Sequence, residues 1–270
     1  MQRVECLALP IFKTMRLSSS IKAFSIASSL LLTCAASRAQ SADDLIEKGD
    51  VFDLKFQADE ALKDYLQAEK LEPKNVRLLC RIARQYRHLM TDATARADQL
   101  RLGTISLEYA QRAAALAPND SEAQLSPAIT YGKMMPFLGT KEQVEDSPHI
   151  KEAADKAIKL DPRNDTAWHV LGRWHQVLAD VNLIKRTLGE LIYGKLPEST
   201  NEEAVTCFEK AIEINPHRPR HYIELGRTYA QMRRNAEARQ FIEKGLAMPD
   251  VEKDDPEIKQ RGRETLAKLR

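Results

Sequence analysis

Three arginines stand directly after a small residue at recurring places in the chain: Ala83-Arg84, Gly172-Arg173 and Gly226-Arg227. Arg77, Arg87, Lys133, His169 and Arg220 fall on the same face when each stretch is read at helical periodicity. A guanidinium presents a planar fork of donors that matches a carboxylate or phosphate, so this set predicts a basic groove for an acidic peptide or another anion. The same side chains would also serve as a solvated helix face, and Asp50 and Asp53 are candidates to neutralise them. The six histidines offer less chemistry. They form no HExxH, and the pair His217/His221 is interrupted by Pro219, so a shared metal is not expected. No glycine-rich phosphate loop, G-x-S-x-G or CxxC is present. The acidic residues fall on polar helix faces, where they ordinarily lie. The reading is of a non-catalytic protein without a cofactor.

Helices must position these residues. Asp165 to Pro216 reads DTAWHVLGRWHQVLADV, an interruption of about twenty residues, then EEAVTCFEKAIEINP. Trp168, Leu171, Gly172 and His175 recur at helical spacing in the first part; Ala204, Phe208 and Ala211 do so in the second, which Pro216 closes. Small Gly172, Ala204 and Ala211 let two helices approach closely, while Trp168, Leu171 and Phe208 fill the gaps. Such a hairpin is apolar on both sides and needs similar hairpins before and after it. Residues 42–75 carry Leu45, Gly49, Phe52, Ala61, Tyr65, Ala68 and Pro73, a spacing that resembles the 34-residue tetratricopeptide repeat. Further units follow over 76–120, 121–164, 165–218 and 219–252, and in the third Pro127 and Pro136 are expected to break the first helix. Pro73, Pro118, Pro162, Pro216 and Pro249 each follow an amphipathic run. The expected fold is an all-α, tetratricopeptide-like α-solenoid of about five helical hairpins over 40–252, with a capping helix at 253–270. The first helices of successive units then line a concave surface that carries the arginines.

Composition agrees, with 43% hydrophobic and 30% charged residues and only ten glycines in 270 positions. The net charge of +2 comes from the leader, where Arg3, Lys13, Arg16, Lys22 and Arg38 oppose Glu5, so the remainder is −2. General affinity for nucleic acid is therefore not expected. In the leader, Arg16 and Lys22 flank the start of an apolar segment from about Ala23 to Ala36, followed by Ser37-Arg38-Ala39. That order predicts a signal peptide over 1–39, with Met15 as an alternative start, and export to a periplasm or envelope. A retained membrane anchor and a lipid-modified Cys34 are the alternatives, and the apolar run is short for a span of roughly 20 residues. Cys80 and Cys207 sit within apolar helical patterns of different units, which favours buried thiols over a disulfide.

A closer resemblance lies downstream. LGRWHQVLAD, then IKRTLGELIYGKLPEST before EEAVTCFEKAIEINP, then NAEARQFIEKGLAMPDVEKDDPEIK resemble the carboxy-terminal repeats of the regulator of microtubule dynamics family over about Asp165 to Leu266. The resemblance implies helical-repeat proteins associated with microtubules, spindle poles or mitochondria, with one branch that tethers membranes and carries phospholipid. An export signal is atypical of those eukaryotic members, so microtubules are a partner only if the leader is retained. The expected function is a scaffold that binds a protein or acidic peptide in the groove. A lipid-binding or lipid-transfer module and a cytoplasmic microtubule-associated protein are the alternatives. Two apolar features bear on the lipid alternative. Leu183, Ile184, Leu188, Leu191 and Ile192 alternate with Lys185, Arg186 and Lys195 in the insertion Val181 to Thr200, a stripe that either contacts lipid or a partner or packs on its neighbour. Met134, Met135, Pro136, Phe137 and Leu138 either fill core, cap the groove or line a lipid cavity.

Overall fold

The structure, a computed structural model, describes residues 40–181 and 197–269. Among these residues there are eleven α-helices, one 3-10 turn and no strand. Five packed pairs succeed one another: α1 (Ala42–Asp53) with α2 (Ala58–Leu71), α3 (Val76–Asp92) with α4 (Arg96–Leu116), α5 (Ser121–Met134) with α6 (Thr140–Leu160), α7 (Asp165–Ala179) with α8 (Asn201–Ile214), and α9 (Pro219–Gln231) with α10 (Asn235–Ala247). α11 (Asp255–Lys268) lies on α9 and α10. Each second helix also packs on the first helix of the next pair, which is the nearest-neighbour arrangement of an α-solenoid. The leader and the stripe from Leu183 to Lys195 lie outside the described residues.

The residues that stop one unit start the next. After Pro73, the Asn75 amide donates to the Glu72 carbonyl at 3.1 Å, and the Asn75 side chain accepts from the Leu78 amide at 3.1 Å. Asp120 repeats both bonds after Pro118, to Ala117 at 3.2 Å and Ala123 at 2.8 Å. Asn164 repeats them after Pro162, to Asp161 at 3.1 Å and Ala167 at 3.0 Å. Proline ends the helix, the turn reverses the chain, and a side chain caps the new helix, each cap being worth about 1 kcal/mol. At the fourth junction the device changes: Pro219 occupies the first turn of α9, where its missing amide hydrogen costs nothing.

Within the pairs, missing side chains set the spacing. A Cβ built on Gly49 would lie 2.4 Å from the Tyr65 ring, and one on Gly172 would lie 2.9 Å from the Phe208 ring. At Gly226 it would lie 2.6 Å from Ile242 Cγ1 and 2.8 Å from the Ala238 carbonyl oxygen. In each case a first helix rests directly on a bulky residue of the second. The buried alanines 61, 204, 211 and 238 continue the contact. Gly262 of α11 seats against Ile223 and Ile242, so the last helix covers the apolar end of the fifth pair.

One expectation is revised. α5 runs unbroken through Pro127, because Leu125 and Ala128 on either side are buried in a cluster with Ile150, Ala154 and Leu171 that holds the segment helical despite one lost hydrogen bond. Only Pro136 ends it, in the turn Met135–Phe137. The apolar cluster there is core filling: Met134 packs with Met90 and Leu102, and Phe137 and Leu138 lean on the same group.

Gly226→Ala is expected to lower unfolding free energy by about 1–3 kcal/mol, since the Ala238 backbone cannot yield to the new methyl group. Gly132→Ala, in a helix position with nothing within 4 Å, is expected to raise it by roughly 0.5–1 kcal/mol. Urea denaturation of the two variants checks the pair, and a loss of stability in both would contradict this packing.

Candidate functional site

The first helices α3, α5, α7 and α9 touch one another in succession, whereas successive second helices do not pack together to a comparable extent. The first helices therefore form the inner side of the solenoid, and the groove residues of the sequence are all borne on them. Arg77 is exposed in the first turn of α3. Arg84 pairs with Asp53, and Arg81 one turn earlier holds Asp50 by two bonds of 2.7 and 3.0 Å. Arg87 is buried and donates to Ser126 Oγ at 3.4 Å and Thr130 Oγ1 at 3.2 Å, tying α3 to α5. Lys133 pairs with Asp254. Arg220 donates to Thr166 Oγ1 at 3.3 Å, and its Nε has no partner. The inner face thus carries the expected cations, but most of them already hold a counter-charge or lie below the surface.

Arg173 and Arg227 converge on a residue that the sequence reading passed over. Glu224 is 1% exposed, and its Oε2 accepts from Arg173 at 2.8 Å and Arg227 at 2.7 Å, while Arg261 of α11 stands 3.4 Å from Oε1. Burial alone would raise this carboxyl, but Arg173, Arg227 and Arg261 outweigh it and hold Glu224 below the usual glutamate range. Gln176 completes the joint by donating to the Glu224 carbonyl at 3.0 Å and Thr228 Oγ1 at 2.9 Å. One carboxylate therefore binds α7, α9 and α11 together.

A second buried network joins the start of α7 to α9. His221 Nε2 lies 3.0 Å from Asp165 Oδ2, and its Nδ1 lies 3.0 Å from His169 Nδ1. Asp165 also takes Arg218 at 3.1 Å, and the hydrogen bond from His221 and the charge of Arg218 overcome the effect of burial and keep it ionised. The consistent assignment is His221 donating from Nε2 to Asp165 and His169 donating from Nδ1 to His221. Burial pushes His221 down to about 4, and it pushes His169 well below the ordinary histidine value. Both are neutral, satisfied core histidines. No group of three or more His, Cys, Asp or Glu that could hold a metal occurs among the described residues.

The inner side also receives the chain's own acidic segment. Between α10 and α11, Glu252 meets Arg218 at 2.8 Å, Lys253 pairs with Asp92 at the end of α3, and Asp254 pairs with Lys133 at the end of α5. Asp255 Oδ2 accepts from the Val251 and Glu252 amides at 2.8 Å each and shapes the turn. Glu224 had one visible signal, a carboxylate between the buried Tyr222, Ile223 and Leu225 and three residues before Arg227. Asp254 had none, because its partner is 121 residues away.

Comparison with known proteins adds to this geometry. A family profile described as regulator of microtubule dynamics protein 1-3 matches residues 40–270. The chain belongs to this family. Regulator of microtubule dynamics protein 1 of Bos taurus is 26% identical over 238 residues, covering 87% of this chain and 74% of the relative; that of Mus musculus is 28% identical over 220 residues, covering 80% and 72%. Protein 2 of Homo sapiens is 26% identical over 217 residues, covering 80% of this chain and 52% of the relative, so the chain spans about half the length of that member. Among solved structures, a thermophilic tetratricopeptide protein of Thermus thermophilus is similar with a TM-score of 0.62 at 17% identity, covering 84% of this chain and 100% of that one. PilF of Pseudomonas aeruginosa is similar with a TM-score of 0.50 at 13% identity, covering 84% and 88%. These structures support the solenoid fold of this family member.

The histidine pair gives the domain a pH dependence. Unfolded histidines take up protons near pH 6.5, whereas His221 and His169 stay neutral in the fold far below that. Stability is therefore full above about pH 6.5 and falls as the pH drops towards 4, by about 1.4 kcal/mol per pH unit for each histidine. Thermal melts between pH 7 and pH 5 are expected to show a falling Tm, with a shallower fall in His221→Gln. A Tm that is flat over that interval would contradict the network.

Proposed function

We propose that this member of the regulator of microtubule dynamics family is a non-catalytic scaffold that holds an acidic segment of a protein partner along the inner side of its first helices. One observation carries the reading: an acidic stretch of the chain itself, Glu252 to Asp255, rests there against Arg218 and Lys133. An acidic peptide suits this side because it meets cations borne on at least three successive first helices, and a short helix-lined groove gives an extended segment a continuous surface. Arg77 and the exposed flank of Arg84 extend the cationic track beyond the resident stretch. Export through the 1–39 leader belongs to the same proposal and rests on the cationic, apolar and small-residue order of that stretch. The relatives' names concern microtubule dynamics, and a microtubule partner would apply to this chain only with the leader retained. Met134, Phe137 and Leu138, which bear on the lipid alternative, pack with Met90 and Leu102.

A fluorescent glutamate-rich dodecapeptide is expected to bind the mature protein with an affinity that falls as salt rises. Arg77→Gln combined with Arg84→Gln, at half-exposed or exposed positions, is expected to weaken binding about tenfold. Absence of binding at low salt, or an unchanged affinity in the double variant, would overturn the proposal.

A further inference from the structure

We propose that the segment Met248 to Asp254 is a resident pseudo-ligand: it occupies the subsites that an acidic segment of the partner takes, and partner binding requires its displacement. This inference rests on the acidic-peptide reading above and names its contacts and its control.

The placement of the segment defines two anion subsites. The first is Arg218, which holds Glu252 at 2.8 Å, with Arg220 close enough to feel the same carboxylate. The second is Lys133 at the end of α5, which holds Asp254 beside buried Arg87 and His88 of α3. Burial pulls the Lys133 ammonium below its usual value in spite of Asp254, and it pushes the Arg87 guanidinium down to about 10. Arg87 thus remains charged at neutral pH, and a carboxylate beside it compensates a cation that water reaches poorly.

The segment's backbone joins its flanking helices by end bonds, Met248 N–H to the Gly245 carbonyl and Ile258 N–H to the Asp254 carbonyl. Met248 to Asp254 lies outside both flanking helices, Pro249 and Asp250 are exposed, and Val251 is 46% exposed. Its contacts with the inner side are ion pairs, reached across 121 residues for Lys133 and 161 for Asp92, while Lys259 and Asp255 of α11 tie the segment to its own helix. The pairs to Lys133 and Arg218 are mostly buried, so release of the segment requires a partner's carboxylates to take the place of its own, whereas the apolar seat of α11 on Ile223 and Ile242 needs no replacement. The side chains of Glu252, Lys253 and Asp254 can therefore leave Arg218, Asp92 and Lys133 while the local turn on Asp255 and α11 stay in place.

Its fit is also incomplete. Asp254 uses one carboxylate oxygen and leaves Oδ1 buried without a partner, and His88 Nδ1 and Arg220 Nε beside the two subsites are buried and unpaired. Lys253 is a cation on a face that selects anions, and it is accommodated only by Asp92. A partner segment that presents hydrogen-bonding groups to His88 Nδ1 and Arg220 Nε would satisfy groups that the resident leaves unmet, which gives it the advantage needed to compete.

The test uses the mature full chain and a labelled peptide of residues 248–257, MPDVEKDDPE, added in trans. Glu252→Gln with Asp254→Asn loosens the resident without altering the cations that receive it, and is expected to raise the affinity for the peptide at least tenfold over wild type. Lys253→Ala, a milder route to the same release, is expected to raise it about threefold. A peptide carrying the same two amide replacements is expected to bind none of the proteins. Equal affinity of wild type and both variants for the acidic peptide, or equal binding of the neutralised peptide, overturns the pseudo-ligand while leaving the acidic-peptide reading in place. Failure of the acidic peptide to bind any of the three folded proteins overturns both.

Discussion

The absence of a side chain at Gly49, Gly172 and Gly226 is the constraint on which this molecule is built. Each glycine lets a first helix rest on Tyr65, Phe208 or Ile242 of its partner, closer than any Cβ would allow. That approach fixes the pair as a thin, rigid plate with two apolar faces, and plates of this kind have no way to bury both faces except by stacking. The Pro-x-Asn and Pro-x-Asp turns then set the same step between the first four plates, since each ends one helix and caps the next within three residues. The curved inner side follows from the geometry of the step.

Stacking brings the first helices together, and this has an electrostatic consequence. Residues beside the packing glycines face the seam between neighbouring first helices, where arginine can tie one helix to the next but cannot remain fully hydrated. Each stranded cation therefore needs a carboxylate or hydroxyl from another element. Asp50 and Asp53 supply Arg81 and Arg84 at the amino-terminal end, Ser126 and Thr130 supply Arg87 in the middle, and Glu224 gathers three arginines near the carboxy-terminal end. Removing one partner from such a group leaves uncompensated buried charge, which is costlier than the pair is stabilising. The groove is a charge-compensated seam, and the acidic segment after α10 provides the compensation for Lys133 and Arg218.

Much of this was legible in the residue order. Gly172 facing Phe208 and the proline-marked unit ends follow from local periodicity, because contacts within a hairpin repeat at a spacing that a single sequence displays. Neutralisation by Asp50 and Asp53 was open to the same reading, since each is paired with a residue 31 positions away, one repeat along. Pro127 misled because a helix-breaking preference of a few kcal/mol is outweighed by packing on both sides of it. Glu224 and Asp254 were missed for a different reason. Their importance comes from several remote cations converging in space, which neither periodicity nor composition encodes.

Charge holds the segment Met248 to Asp254 against the inner side, while α11 is held by its apolar seat on Ile223 and Ile242 and by the buried Glu224–Arg261 pair. Amide hydrogen exchange of the wild-type protein at low and high salt measures the two separately. Exchange that quickens with salt across residues 248–254, with amides of α9 and α11 unchanged, is the predicted result. Protection of 248–254 that is indifferent to salt, or that is lost only together with α11, would contradict it.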